Sequence, residues 1–479
     1  MDELRHASRV AADVTAGYLA QVGRRPVWQP VPEADRRWLT GQELPAVGRS
    51  LTDLLGDISA RMLPYPMGNG HPRFFGWVNS APSAAGVVVA PVAAALNPSC
   101  AGGEHAGVLL EHTVLRWLAE LVGYPHGPGG GLLTSGASMA TVIALAAARQ
   151  RAAGQAGVDV RVEGLHGLPP LVMYVSAEGH SCLRKAAELL GVGSRQVRVV
   201  PVDDGFGMDV AALRALVTRD VRAGLRPFCV AASAGTVNTG AVDPLAAIAD
   251  VAAEHGMWFH VDGAYGALGI LAGDAAAGYA GLARADSLVL DPHKWLGVPV
   301  DCGCVLWRDP ALTRATFSLV PAYLREEHDD GLGWFSEYGP EQTRPLRALR
   351  VWATMSHLGR EGIVALVDTT VRLARTLAAM IEAAPDFELR APVGASIVAF
   401  RYRPPGVDDR RDEWLDELNH SIPPAVQRRG RAFLTGTTLA GTGTLRACVL
   451  NPATTEDDLR VLLDEIRAVA AARLTGTGS

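Results

Sequence analysis

Among the residues of this chain, the lysine in Asp291-Pro292-His293-Lys294-Trp295 is the one best suited to covalent chemistry. It follows the apolar run Ser287–Leu290, which reads as a β-strand, so Lys294 stands at a strand's carboxyl end. An amine partly withdrawn from water is neutral and nucleophilic and can form a Schiff base with a carbonyl compound. A solvated loop lysine is the commonplace alternative, and the motif alone does not separate the two. A second cluster is His260-Val261-Asp262-Gly263-Ala264-Tyr265-Gly266. Asp262 closes an apolar run, where a carboxylate is costly unless paired. It can pair with a cationic ring nitrogen, or it can cap a turn. It precedes Lys294 by 32 residues, room for one helix and one strand, so the two belong at neighbouring strand ends.

Three more clusters follow apolar runs or open helices. Leu133-Thr134-Ser135-Gly136-Ala137-Ser138-Met139-Ala140 leads an Ala-rich helical pattern over 139–149. Small residues at a helix N-terminus leave backbone N–H groups free, and the helix dipole favours an anion. With the hydroxyls of Ser135 and Ser138 this makes a phosphate cradle, or an ordinary serine N-cap. It is not a Walker loop, since no Gly-Lys-Ser/Thr follows. Ser176-Ala177-Glu178-Gly179-His180-Ser181-Cys182 places a histidine that can stack on a flat ring or lie exposed. Ala234-Gly235-Thr236-Val237-Asn238-Thr239-Gly240 offers Thr236 as a hydrogen-bonding group or as part of a turn.

The elements that must position these clusters are strands alternating with helices. Short apolar runs fall at 171–175, 197–201, 228–232, 258–261, 287–290 and 304–307, with helical patterns such as 244–255 between several of them. That alternation predicts an α/β layer with a mainly parallel sheet, whose ligands sit beyond the strands' carboxyl ends. The first sixty residues read as polar helices with a breaker at 25–32, followed by an irregular Pro/Gly loop at 64–73. Residues 363–384 form a long helical pattern, 396–402 and 444–450 read as strands, and Thr454-Thr455-Glu456-Asp457-Asp458 reads as a capping box before a last helix. The expected organisation is an N-terminal helical segment at 1–90, a large α/β domain at 91–355 and a small α+β domain at 356–479.

Composition bounds the function. The 479 residues are 48% hydrophobic, enough for a large core, and carry a formal charge of −6. That mild acidity argues against nucleic acid as a partner. No run reaches the length of a membrane helix; the most apolar, 84–96, is short and broken by Gly and Pro. The start Met-Asp-Glu-Leu-Arg-His lacks a secretion signal, and a cytoplasmic protein is expected. The six cysteines contain no Cys-x-x-Cys pair, so no metal site is expected, and Cys302 and Cys304 are expected on one buried face of a strand.

Taken together, Thr-Ser-Gly-Ala-Ser at 134–138, Glu-Gly-His-Ser around His180, Ala-Gly-Thr236, His-Val-Asp262-Gly-Ala-Tyr-Gly and Asp-Pro-His-Lys294-Trp resemble the group II pyridoxal-phosphate (PLP) dependent decarboxylases. These include the aromatic-L-amino-acid, histidine and glutamate decarboxylases. The resemblance runs from His71-Pro72-Arg73-Phe74-Phe75 to the C-terminal helix. It implies the aspartate-aminotransferase-like fold type I, with a seven-stranded sheet, and a homodimer whose N-terminal helices pack on the partner. It implies that Lys294 forms the Schiff base with PLP and Asp262 pairs with the pyridine nitrogen. His180 and Ala264 would cover the two ring faces, Thr236 would bond the ring hydroxyl or the substrate carboxylate region, and Ala137, Ser138 and His293, beside Gly136, would hold the phosphate. Leu319-Val320-Pro321-Ala322-Tyr323-Leu324 is similar to the family's catalytic loop, which makes Tyr323, with His180 as the alternative, the residue that protonates the substrate carbon after CO2 leaves.

The implied reaction is decarboxylation of an L-amino acid to its amine. The alternatives are oxidative deamination to an aldehyde or another lyase reaction on the same scaffold, and relatives that make aldehydes often carry Phe at the Tyr323 position. Phe75, Trp77 and Asn79 are candidate substrate-pocket residues. The stretch Gly76-Trp77-Val78-Asn79-Ser80 departs from the aromatic and Pro-Thr set of the aromatic decarboxylases. A non-catalytic nucleotide-binding protein is disfavoured, because no Gly-x-Gly-x-x-Gly follows a first strand.

Overall fold

Seven short apolar runs of the chain pair into one sheet. In the computed structural model, which describes residues 1–319, 333–406 and 412–474, these are β1 (Gly131–Thr134), β2 (Leu171–Ser176), β3 (Val197–Val200), β4 (Arg226–Ser233), β5 (Trp258–Asp262), β6 (Ser287–Leu290) and β7 (Gly303–Trp307). Their order is β1-β7-β6-β5-β4-β2-β3. β7 is antiparallel to both neighbours and every other pair is parallel. Strands β1, β2, β5, β6 and β7 are buried at every residue, as strands covered by helices on both faces must be. The fold is thus α/β, as the strand–helix alternation predicted, with the seven-stranded sheet that the family resemblance implied. Parallel register sets Ser233 opposite Asp262 and Asp262 opposite Val289, so three carboxyl ends meet in a row.

The helix Ala137–Gln155 lies against this sheet through its alanines. Ala147, Ala148 and Ala152 pack with Met173, Val175, Phe228, Cys229 and Trp258 in one buried cluster. Small side chains allow this close approach of helix and strands. At β7, a Cβ added to Gly303 would come within 2.5 Å of the Gly136 Cα, so backbone meets backbone there. Cys302 and Cys304 are both buried, but β7 begins at Gly303, so Cys302 lies in the turn before the strand. All six cysteines are free thiols.

The chain forms two compact units, one of Pro82–Arg372 with Ala391–Ser396 and one of Met1–Ala81, Leu373–Arg390 and Ile397–Ser479. The borders expected at 90/91 and 355/356 fall within the helices Ala84–Leu96 and Arg347–Glu382. In the unit that contains both termini, β8 (Phe387–Leu389), β9 (Ile397–Tyr402), β10 (Thr435–Leu439) and β11 (Thr442–Cys448) form an antiparallel sheet in the order β10-β11-β9-β8. Phe75 is stitched to this unit, its N–H donating to the Phe433 carbonyl at 2.7 Å and its carbonyl accepting from Cys448 N at 3.0 Å. The expected capping box forms at Thr455 and Asp458, the Thr455 N–H donating to Asp458 Oδ2 at 2.9 Å and the Asp458 N–H to Thr455 Oγ1 at 3.3 Å. Of the N-terminal helices Asp2–Gln21, Glu33–Thr40 and Leu51–Asp57, only Ala7 is buried. Among the described residues no helix is long and apolar enough to cross a membrane.

Candidate active site

Beyond the carboxyl ends of β4, β5 and β6 opens a cavity of about 320 Å³, and the five sequence clusters converge on it. The turn after β6 supplies Lys294. Its N–H donates to the Asp291 carbonyl at 2.9 Å and its carbonyl accepts from Gly297 at 3.0 Å, closing a tight turn. The turn is anchored by Trp295, which is buried, donates from Nε1 to Thr370 Oγ1 at 2.9 Å and stacks on Tyr265 with ring centroids 5.1 Å apart. Lys294 Nζ lies 3.1 Å from Asp291 Oδ2, and His293 Nε2 lies 3.8 Å from the same oxygen. Asp291 Oδ1 is buried and, among the described residues, has no hydrogen-bond partner.

Asp262 ends β5 and is buried. Its Oδ1 accepts from the Ala264 N–H at 3.1 Å, and its carbonyl accepts from Ala234 N at 2.8 Å, which ties the β4 and β5 turns together. The same turns touch at Gly235, whose φ of +103° and missing Cβ let the chain pass the Gly266 Cα; a Cβ there would approach to 2.7 Å. Thr236 is buried, with Oγ1 2.9 Å from Thr239 Oγ1. Below them Asp243 is fully buried and accepts from Ser233 N and Met208 N, each at 2.7 Å. Burial pushes its carboxyl up to about 7.

His180 is the N-cap of Ser181–Leu189, accepting from Cys182 N at 3.2 Å through Nδ1. Gly136 precedes Ala137–Gln155 without any side-chain cap bond, so the N–H groups of this 19-residue helix's first turn are not engaged by a capping side chain. Lys294, Asp262, His180, Thr236, Ala264, Gly136, Ala137, Ser138 and His293 all line the cavity. Phe75, Trp77 and Asn79 belong to the other compact unit. Phe75 is fully buried; Trp77 is 47% exposed, adopts φ +48° and packs 5.2 Å from the Phe433 ring. Tyr323 lies outside the described residues.

Sequence reasoning left out several lining residues, among them Glu178, Ser233, Tyr265 and Asp291. Asp291 had a signal, an acid three residues before the lysine at a strand end. A stronger signal is a count: the chain has two lysines, Lys185 and Lys294, among 44 basic residues. Lys185 is exposed on the helix Ser181–Leu189. The ligating atoms of His180, Cys182 and Asp262 lie within 4.8 Å of one another. Burial, then the Asp262 charge, pushes the Cys182 thiol up to about 12, which keeps it protonated and a poor metal ligand.

Comparison with known proteins fits this geometry. The family model described as the pyridoxal-dependent decarboxylase conserved domain matches residues 32–403. An aromatic-L-amino-acid decarboxylase of Bacillus atrophaeus is 32% identical over 98% of this chain and 96% of its own. A phenylacetaldehyde synthase of Arabidopsis thaliana is 28% identical over 96% of this chain and 94% of its own. The crystal structure of Oryza sativa TDC with PLP and tryptamine superposes with a TM-score of 0.92 at 26% identity, covering 99% of this chain and 98% of that one. The chain belongs to the pyridoxal-dependent decarboxylase family. It is a PLP-dependent carboxy-lyase acting on an amino acid. The cavity fits that cofactor chemically: an amine for its aldehyde, a carboxylate for its ring nitrogen and an uncapped helix N-terminus for its phosphate.

Proposed function

We propose that this cavity is where the decarboxylation occurs and that Lys294 is the residue that joins PLP. The supporting observation is that Lys294, rather than the exposed Lys185, shares a cavity with Asp262 and the start of the helix Ala137–Gln155. When bound, PLP supplies an electron sink for the pair released from the bond between Cα and the carboxylate. Asp262 keeps the proton on the ring nitrogen. Asp291, 3.1 Å from Lys294 Nζ, holds the lysine's proton and orients the amine. The first turn of Ala137–Gln155, next to Gly136, with Ser138 and His293, receives the phosphate. His180 and Ala264 take the two ring faces, and Thr236 takes the ring hydroxyl or the substrate carboxylate. Tyr323 delivers the proton to the substrate carbon, an assignment supported by the sequence resemblance.

The names of the relatives favour an aromatic L-amino acid as substrate. Trp77 and Asn79 are the proposed substrate-side residues, with Phe75 beside them. The working form is a homodimer. Support comes from the helix Ala84–Leu96, in which only Gly86 is buried while Val88 is 73%, Val92 51% and Leu96 63% exposed. The sparsely buried N-terminal helices are proposed to pack on the partner, and the compartment is proposed to be the cytoplasm.

The test is product analysis with PLP-loaded protein and aromatic L-amino acids. Amine equimolar with CO2, without oxygen uptake, is expected. Aldehyde formed with oxygen uptake refutes plain decarboxylation and supports the second reading, which the phenylacetaldehyde synthase relative favours.

A further inference from the structure

Cys182 lies in the first turn of Ser181–Leu189 and is 3% exposed. Its Sγ is 4.0 Å from Asp262 Oδ2 and 3.7 Å from Thr141 Oγ1, and Thr141 is itself fully buried on the helix Ala137–Gln155. The two oxygens of Asp262 therefore have different partners: Oδ1 accepts a backbone N–H, and Oδ2 faces a thiol. A carboxylate offers no hydrogen, so the S–H must be the donor between Cys182 and Asp262. The Thr141 hydroxyl is then free to donate to the sulfur. Neither Cys182 nor Thr141 lines the cavity, and the Cys182 thiol meets the lining at Asp262.

A thiol is a weak donor, well below a hydroxyl. It orients Oδ2 while drawing little charge from it. A serine at this position would donate a stronger bond and drain the carboxylate; an alanine would donate none. We propose that Cys182 is a positioning residue that fixes Asp262 and, as a deliberately weak donor, preserves the carboxylate's basicity toward the cofactor's ring nitrogen. This rests on the assignment of Asp262 to that nitrogen.

The readout is the pH midpoint of the cofactor's visible absorbance in PLP-loaded protein. The proton behind that band sits on the Lys294 linkage, and it is held less tightly the more firmly the ring nitrogen keeps its own. The charged and titratable groups that face this site are Lys294, Asp291, His293, His180, Glu178 and Tyr265, with His260 next but one to Asp262 on β5. All of them are common to the proteins compared. The expected order of midpoints is Cys182→Ala below wild type and wild type below Cys182→Ser, with steps of roughly half a pH unit. A role in packing alone gives no such order, because the near-isosteric serine would then match wild type. Coincident midpoints, or a wild type outside the two variants, overturn the proposal. If the alanine variant fails to fold, an unshifted serine midpoint is sufficient to overturn it. Asp262→Asn separates the two levels. An unshifted band in that variant overturns the Asp262 assignment itself. A shifted band there, with unshifted Cys182 variants, overturns the thiol's role alone.

Discussion

Arg344 and Glu111 are the pair whose disruption has the most calculable effect. Both side chains are 1% exposed and form an ion pair. Arg344 Nη1 donates to Glu111 Oε2 at 3.2 Å and to the Cys100 carbonyl at 2.7 Å, and Nη2 donates to the Leu133 carbonyl at 2.7 Å. Glu111 Oε1 accepts the Leu133 N–H at 3.0 Å. The pair thus holds both main-chain groups of a β1 residue two positions before Ser135, where the proposed phosphate cradle starts. Arg344→Met leaves a buried carboxylate without its cation, a change that costs about 3–5 kcal/mol. Since the stranded carboxyl can regain neutrality only by taking up a proton, the loss should be larger at pH 8 than at pH 5. Arg344→Met with Glu111→Leu removes the buried charge and should recover part of the loss. Urea unfolding followed by tryptophan fluorescence measures all of these. A single-variant loss under about 1 kcal/mol, or a loss that grows toward acid pH, would refute the reasoning.

Other outcomes follow from single observations. Tyr323→Phe should keep the visible cofactor band and lose amine production, gaining aldehyde; amine at the wild-type rate in a product assay would remove Tyr323 from the chemistry. His260 is fully buried, and burial lowers its imidazole from 6.5 to about 4. Between those values the unfolded chain binds a proton that the folded chain does not. Its contribution to stability is therefore constant above 6.5 and falls by up to about 3 kcal/mol toward pH 4, and His260→Gln should flatten that part of a urea-midpoint profile. Val88→Asp with Val92→Asp should convert a dimer to monomers in sedimentation; a variant dimer as tight as wild type would place the interface elsewhere.

Much of the site is legible in the sequence because each cluster directly follows an apolar run or opens a helix, and parallel strands gather such positions at one edge. Asp262 and Lys294 met for that reason, and Thr236 and His180 with them. Other features are hidden. β1 is four residues, Gly-Leu-Leu-Thr, too short for a periodicity. β10 is Thr-Gly-Thr-Thr-Leu, with partly buried residues alternating with exposed ones and little apolar content. The antiparallel setting of β7 follows from the absence of a helix between 290 and 303, a stretch occupied by the lysine turn. Arg344 and Glu111 are 233 residues apart, and nothing local in either segment marks them as partners. The weak thiol beside Asp262 is likewise a tertiary fact, since Cys182 and Asp262 are 80 residues apart.

Borohydride treatment of the PLP-loaded protein, followed by peptide mass mapping, tests the central assignment most directly. With two lysines in the chain there are two internal candidates. The account predicts a reduced phosphopyridoxyl group on the peptide that contains Lys294, with bleaching of the visible band and none of the label on Lys185. Label on Lys185, or bleaching with Lys294 unmodified, would contradict it.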